Sequence, residues 1–228
     1  LGSKQAIYNT QTSLRHNFQR VDATHVNVDP NRTSLTGTGG NIKVGKGGGG
    51  KFLFESGVTW RSPELEMNDM GFQRNADDIT HYNWMAYKSL KPFSVFRSLQ
   101  VNYNHYASWN FEGKHTYLGF NNNAHAKFNN NWGTGYGMHY AVVEFTDSAL
   151  RGGPMLRLPK SFETNWYLQS DERKKLQFRI SLNQTKGESN SFTRKNASIN
   201  LKYVPINSFY ISVSAGVNHS ILWFSVYF

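Results

Sequence analysis

The sequence predicts an all-β fold, an antiparallel up-and-down transmembrane β-barrel of the outer-membrane type. Three observations lead to this prediction. Apolar and polar residues alternate along many segments, short and long connections follow each other in strict succession, and tryptophans lie towards the ends of the alternating segments. We expect residues 1–228 to form a single domain, because all-β domains of this length are routinely undivided.

The alternation has a period of two, which is the repeat of side chains along a β-strand. Residues 51–61, KFLFESGVTWR, place apolar side chains on one face of an extended chain and mostly polar residues on the other. The apolar set is Phe52, Phe54, Val58 and Trp60, and the opposite set is Glu55, Gly57, Thr59 and Arg61. Residues 176–183 and 209–217 repeat the pattern, and no comparable stretch has the helical period of about 3.6 residues.

The connections between these segments are of two kinds. Short ones, rich in turn-forming residues, are predicted at residues 45–50, 91–93, 129–131, 171–175 and 204–207. Mostly longer ones are predicted at the opening stretch and at residues 61–78, 111–115, 146–154 and 185–193. Their alternation is typical of tight turns at one end of a sheet and variable loops at the other. It predicts about eleven or twelve strands, depending on whether residues 5–14 also pair.

Alternation alone does not distinguish a membrane barrel from a soluble one, because a soluble barrel only turns its apolar face inward. Strand length favours the membrane barrel, since several segments approach the roughly nine to eleven residues that cross a bilayer. The last eight residues, ILWFSVYF, place Phe224, Val226 and Phe228 on one face, as in the C-terminal strand of bacterial outer-membrane proteins. The tryptophans that fit an interfacial girdle are Trp60, Trp84, Trp109, Trp132, Trp166 and Trp223.

Composition and charge argue against several other classes of protein. The net charge of +10 suits a nucleic-acid binder, but Lys and Arg are spread along the chain without a basic face or motif. We therefore predict no nucleic-acid partner. Residues 1–228 contain no Cys, which removes thiolate metal sites, and no apolar run is long enough for a spanning helix. We predict no cofactor.

Five motifs follow one another along the chain: DPNRTSLTGTGG (29–40), WRSPELEMNDMGFQRNADD (60–78), FRSLQVNYNHYASWNFEG (96–113), NNNAHAKFNNNW (121–132) and LRGGP (150–154). Their order and spacing resemble a family of Bacteroidota outer-membrane proteins known as domain of unknown function 5916. Members typically place a family-nine carbohydrate-binding-like domain, absent here, before a C-terminal barrel. The resemblance implies the C-terminal part of a larger barrel, with segments left out near residues 218–219, and it implies no particular reaction, solute or catalytic residue.

Two sets of polar residues are candidates for function. Carboxylates of the 61–78 loop could ligate a divalent cation, although they could equally solvate the loop, form salt bridges with Arg61 and Arg74, or share cations with surface glycolipid. We predict no catalytic residue and no metal site, and we expect His125 to join a hydrogen-bond network. The predicted interior-facing set is Glu55, Arg61, His125, Lys127, Arg179 and Lys202, and the loop set is Glu64, Glu66, Asp69, Asp77 and Asp78.

Three hypotheses for function are open at this point. The first is a non-enzymatic surface or transport role in which glycans are candidate ligands. The second is a surface polysaccharide hydrolase, which requires a close pair of carboxylates in a cleft. The third is a structural subunit of a larger outer-membrane complex. We expect residence in the bacterial outer membrane with the long loops outside the cell. The expected partners are outer-membrane lipid and lipopolysaccharide, the barrel-assembly machinery during biogenesis, and glycans or other outer-membrane proteins.

Overall fold

The computed structural model describes residues 1–68 and 71–222. That part of the chain contains the helix α1 (Lys4–Gln11), a short 3₁₀-helix (Glu188–Asn190) and eleven strands. None of its helices has the length and apolar composition needed to cross a membrane. The strands are β1 (Gly39–Lys46), β2 (Phe52–Arg61), β3 (Asp78–Ser89), β4 (Phe96–Trp109), β5 (His115–Phe128), β6 (Gly133–Thr146), β7 (Leu156–Arg157), β8 (Ser161–Gln169), β9 (Leu176–Gly187), β10 (Phe192–Ile206) and β11 (Phe209–Leu222).

The strands form one antiparallel sheet in the order β1-β2-β3-β4-β5-β6-β8-β9-β10-β11. The two-residue β7 pairs only with β6. This arrangement confirms the predicted antiparallel up-and-down sheet, and the lower of the two predicted strand counts is correct. Among the described residues β1 and β11 each have one neighbour, so the sheet is open at both edges and is not a closed barrel.

Residues 5–14 do not form the additional strand that the sequence left open, because most of this stretch belongs to α1. The Ser3 side chain caps α1 by accepting a hydrogen bond from the backbone N–H of Ala6, at 3.2 Å. The helix sequence KQAIYNTQ is rich in good helix formers, and it lacks the alternation seen in the strands. Ile7 and Gln11, one turn apart, are its buried residues.

The two kinds of connection lie where the sequence predicts them. Short turns join β1 to β2, β3 to β4, β5 to β6, β8 to β9 and β10 to β11 at one end of the sheet. At the other end the β2–β3 and β6–β8 connections are long, whereas residues 110–114 and 188–191 are as short as the turns, because β9 and β10 extend into the predicted 185–193 connection. We call the two ends the turn end and the loop end. The predicted turn at residues 204–207 is displaced, because β10 continues to Ile206 through an irregularity after Tyr203.

Cross-strand registers divide the sheet into an apolar face and a polar face. Residues directly opposite one another on β2 to β6 and β8 to β11 form a continuous row on each face. One apolar row is Phe52, Tyr87, Val101, Ala124, Tyr136, Trp166, Leu182, Ala197 and Val217. One polar row is Glu55, Trp84, Asn104, Asn121, His139, Glu163, Thr185, Arg194 and Ser220.

The apolar face does not pack on a hydrophobic core in the described part of the chain. Phe52 is 69% exposed and Val217 is 71% exposed. The buried apolar residues are few, and four of the seven are alanines: Ile7, Phe18, Leu53, Ala76, Ala86, Ala107 and Ala141. Because burial of large apolar side chains normally dominates the stability of a soluble domain, an exposed apolar face of this extent requires a covering environment.

The tryptophans agree only in part with the predicted girdle at strand ends. Trp60 and Trp109 lie at or next to the last residue of β2 and β4, and Trp132 directly precedes β6. Trp84 and Trp166 instead lie in the middle of β3 and β8, and Trp84 belongs to the polar face. Trp223, Phe224, Val226 and Phe228 lie outside the described residues.

Candidate functional site

The six residues predicted to face an interior all lie on the polar face, where they occupy two regions. Glu55 and Arg61 lie on β2. Glu55 accepts hydrogen bonds from Lys43 Nζ and Tyr82 Oη, both at 3.1 Å. Arg61 lies at the loop end of β2, with its Nη1 3.6 Å from Asp78 Oδ2. Both charges on β2 therefore have opposite charges on the neighbouring strands.

The other four residues lie closer to the turn end. His125 Nδ1 is 3.0 Å from Tyr167 Oη. Arg179 stacks on the same Tyr167 ring, with 4.2 Å between its Cζ and the ring centroid. Arg179 and Lys202 line a depression of about 220 Å³, and Lys127 is paired in register with Gly133. This region of the polar face is therefore basic.

Asparagines connect the two regions across β4 and β5. Asn102 Nδ2 donates to Asn123 Oδ1 at 2.6 Å, and Asn123 Nδ2 donates to Asn121 Oδ1 at 2.7 Å. Asn104 Nδ2 donates to the same Asn121 oxygen at 3.0 Å. Each side-chain amide has both donors and an acceptor and carries no charge. Asparagines can therefore extend a hydrogen-bond network across a polar surface without adding charges to it.

The N-terminal segment, residues 1–38, lies against the connections at the loop end. His16 contacts the carbonyl oxygen of Pro63 at 2.7 Å and Glu66 Oε2 at 3.1 Å. Further along, Asp22 Oδ2 accepts from the backbone N–H of Met155 at 3.0 Å. The segment thus bonds to the β2–β3 and β6–β7 connections, and His16 is almost completely buried in the contact.

Arg20 lies at the centre of this contact. Its Nη2 is 3.2 Å from Asp77 Oδ2, and its Nη1 is 3.8 Å from Asp147 Oδ2. His25 Nε2 lies 2.9 Å from the same Asp77 oxygen, while Asp77 Oδ1 accepts from the backbone N–H of Phe111 at 2.9 Å. Asp77 therefore joins the N-terminal segment, the β2–β3 loop and the β4–β5 turn.

A polar cavity of about 160 Å³ lies beside Arg20 at the loop end of the sheet. Asp77, Asp78, Asn110 and Asp147 contribute polar groups to its wall, and Tyr117 adds an aromatic ring. Two larger depressions, of about 410 Å³ and 370 Å³, are lined mainly by the apolar face. The smaller cavity is the better candidate for specific recognition, because pockets achieve specificity through a few convergent polar groups.

The loop carboxylates proposed as cation ligands are largely engaged by the protein itself. Glu64 accepts from Arg32 Nη1 at 2.8 Å and from the backbone N–H of Thr36 at 2.9 Å. Burial raises the pKa of Glu64, but these two bonds outweigh it, so the pKa lies below its ordinary value. The Arg61–Asp78 contact matches one alternative, a structural salt bridge. Asp69 lies outside the described residues.

The hydrogen bonds of Glu66 have the same effect. Burial raises the pKa of this carboxyl, whereas bonds from the backbone and side chain of Asn68, and the contact with His16, lower it by more. The described residues contain no group of three or more His, Asp and Glu side chains arranged to hold a metal ion. Glu64, Asp77 and Asp78 each lie within 4 Å of an arginine.

Comparison with known proteins gives one match. A family model described as Domain of unknown function (DUF5916) matches residues 2–222. The chain belongs to this family. No curated protein and no solved structure matches it.

Several residues of this DUF5916 chain that form the loop-end site were not predicted from sequence. They are His16, Arg20, His25, Asn110 and Asp147. Arg20 and Asp77 are separated by 57 residues, so no local spacing relates them. The opening stretch of the DUF5916 chain lacks the alternation of the strands, but this pattern does not indicate which loops the stretch contacts.

Proposed function

We propose that the chain is part of an outer-membrane β-barrel with a non-enzymatic surface or transport role. In this proposal the apolar face meets lipid, the polar face lines an aqueous interior, and the loop end faces the outside of the cell. The observation that carries it is the pair of continuous rows across the sheet, one apolar and exposed and one polar.

The strand lengths support the proposal. Strands β3 to β6 and β9 to β11 have between 12 and 15 residues each, more than the roughly nine to eleven that cross a bilayer at a tilt. A soluble sheet with the same apolar rows would have to bury them against a second layer. The described residues supply no such layer, since α1 and the N-terminal segment bond to the loop end.

The non-enzymatic role is supported by the state of the carboxylates. Asp77 is bound by Arg20, His25 and the Phe111 N–H, and Glu64 by Arg32 and Thr36. A general acid needs a proton that it can transfer, whereas the bonds from Arg32 and Thr36 hold the pKa of Glu64 below its ordinary value. We therefore prefer recognition or passage of a molecule to hydrolysis.

Two lysine substitutions at neighbouring positions of β10 test the proposal. Ile199 belongs to the apolar face and is 40% exposed, while Ser198 belongs to the polar face. We expect Ile199→Lys to impair insertion of the full-length protein into lipid vesicles, because a lysine facing the bilayer midplane costs about 2–4 kcal/mol. Ser198→Lys should insert normally. If both variants insert equally well, the apolar face does not meet lipid.

A further inference from the structure

The loop-end cavity contains buried hydrogen-bond donors that the protein leaves without a partner. Arg20 is 5% exposed and Asn110 is 2% exposed, and both line the cavity. Within the described part of the chain, Arg20 Nε and Asn110 Nδ2 have no hydrogen-bond partner. Because buried polar groups are normally hydrogen-bonded, two such donors at one cavity indicate an occupant that supplies acceptors.

The same cavity also presents acceptors. Asp78 and Asp147 lie on its wall, and the closest cationic contact of Asp147 is Arg20 Nη1 at 3.8 Å, longer than a hydrogen bond. Carboxylate oxygens accept hydrogen bonds and do not donate them when ionised. An occupant that satisfies the whole wall must therefore donate as well as accept.

Neither kind of ion suits the whole wall. Three carboxylates and one guanidinium line the cavity and attract a cation overall, but a cation supplies no acceptor for the unpartnered N–H groups of Arg20 and Asn110. An anion would lie against Asp77, Asp78 and Asp147. A neutral molecule with hydroxyl groups avoids both problems, since each hydroxyl donates one hydrogen bond and accepts others.

The remaining walls and the volume suit a compact ring that bears several hydroxyls. Tyr117 and Phe145 line the cavity with aromatic surface, against which the C–H groups of such a ring can pack. The cavity volume of about 160 Å³ corresponds to roughly five water molecules at about 30 Å³ each. One polyhydroxyl ring can replace several such waters and reproduce their hydrogen bonds.

We propose that this cavity binds a neutral polyhydroxyl molecule, such as one sugar unit of a glycan. Its hydroxyl oxygens accept from Arg20 Nε and Asn110 Nδ2, and its hydroxyl hydrogens are donated to Asp78 and Asp147. The inference deepens the surface role proposed above and rests on it for the origin of the ligand. The cavity itself is formed by contacts between the N-terminal segment and the loops.

Binding is tested with free glucose, galactose, mannose and rhamnose, and separately with calcium chloride and inorganic phosphate, by titration calorimetry of the detergent-solubilised full-length protein. We expect at least one sugar to bind and neither salt to do so. Asn110→Asp should weaken the sugar about tenfold or more, because it replaces the unpartnered donor with a charged acceptor. It keeps the oxygen that accepts from the Lys114 N–H at 2.8 Å, so the turn is preserved.

A second variant and a control separate recognition from folding. Asp147→Asn removes the negative charge of a residue whose side chain is 29% exposed, and it should weaken sugar binding without lowering the melting temperature. Asn27→Asp makes the same chemical change as Asn110→Asp at an exposed position outside the cavity wall, and it should bind like the wild type. If Asn110→Asp and Asp147→Asn both bind the sugar as tightly as the wild type does, the proposal is wrong.

The source of the sugar is distinguished by a parallel titration with vesicles that contain lipopolysaccharide. Binding of free sugars identifies a soluble glycan. Binding of vesicles that requires lipopolysaccharide in the vesicle, and that Asn110→Asp weakens, identifies surface glycolipid; both outcomes support the site, whereas equal binding of vesicles without lipopolysaccharide reports only the apolar face. A cavity that binds neither, or binds calcium or phosphate instead, holds only water or an ion, and the proposal fails. Such a failure leaves the Ile199→Lys insertion result unaffected, so it is separable from failure of the proposed membrane role.

Discussion

Arg20 and Asp77 form a buried ion pair that joins the N-terminal segment to the loop end of the sheet. Their side chains are 3% and 6% exposed, and Arg20 Nη2 lies 3.2 Å from Asp77 Oδ2. Charges removed from water to this degree depend on their partners, so loss of either leaves a buried charge uncompensated. The position of the N-terminal segment therefore depends on this pair more than on any exposed contact.

Arg20→Met should weaken docking of the N-terminal segment by about 3–5 kcal/mol, the usual effect of removing one partner of a buried pair. The retained contact between His25 and Asp77 favours the lower end of this range. Hydrogen exchange of residues 1–38 measures the change. Arg32→Met is the matched control, because the Arg32 and Glu64 side chains are 31% and 29% exposed and such pairs contribute roughly 0–1 kcal/mol. Equal protection in the two variants would contradict the assignment.

Acidic pH should release the N-terminal segment. The pKa values of Glu64 and Glu66 lie below their ordinary value of 4.5, because hydrogen bonds outweigh the opposing effect of burial. Burial also raises the pKa of Asp22, but the Met155 N–H, Arg20 and Lys114 bring it below 3.8. Stabilisation from a lowered pKa is complete above the unfolded value and disappears as pH falls through the folded value.

The pH prediction is tested by hydrogen exchange of residues 1–38 at matched intrinsic rates. We expect full protection above pH about 5 and progressive loss below pH about 4. Glu64→Gln should reduce the pH dependence, since it removes one of the titrating groups without changing the size of the side chain. Protection that is unchanged at pH about 2 would show that these carboxylates do not hold the segment.

Gly135 permits the contact between His125 and Tyr167 on the polar face. A Cβ at Gly135 would overlap Tyr167 Cε1 and lie 2.8 Å from His125 Nδ1. Gly135→Ala should therefore destabilise the sheet by about 1–3 kcal/mol, as overpacking does elsewhere. Thermal unfolding followed by circular dichroism measures the effect. Gly48→Ala is the control, because nothing lies within 4 Å of a Cβ there, and a melting temperature shared by the two variants would be inconsistent with this packing.

The period-two alternation predicted the sheet well because a strand places successive side chains on opposite faces regardless of its partners. Residues as distant as Glu55 and Arg179 could therefore be assigned to one face before any pairing was known. The loop-end site could not be predicted in the same way. The site combines Arg20 of the N-terminal segment with Asn110 and Asp147 of two separate connections between strands. Their contact depends on tertiary packing, which leaves no periodic signal in the sequence.

The turn at residues 204–207 shows a second limit of local prediction. Val204 and Pro205 resemble the start of a turn, yet the Val204 N–H donates to the Lys175 carbonyl at 2.7 Å and the strand continues to Ile206. Pairing with the neighbouring strand overrides the local preference of Pro205, which is tolerated at an irregular position of a sheet. The turn is consequently shorter than its composition suggests.

In the proposed membrane role the apolar face meets lipid and the polar face meets water. Residues 1–228 contain no Cys, so Ser181→Cys and Leu182→Cys each place a single spin label in this region, on opposite faces of β9. In vesicles containing the full-length protein, we expect a label at 182 to collide mainly with oxygen and one at 181 to collide mainly with a water-soluble nickel complex. The reverse pattern, or equal access of the nickel complex to both labels, would contradict this role.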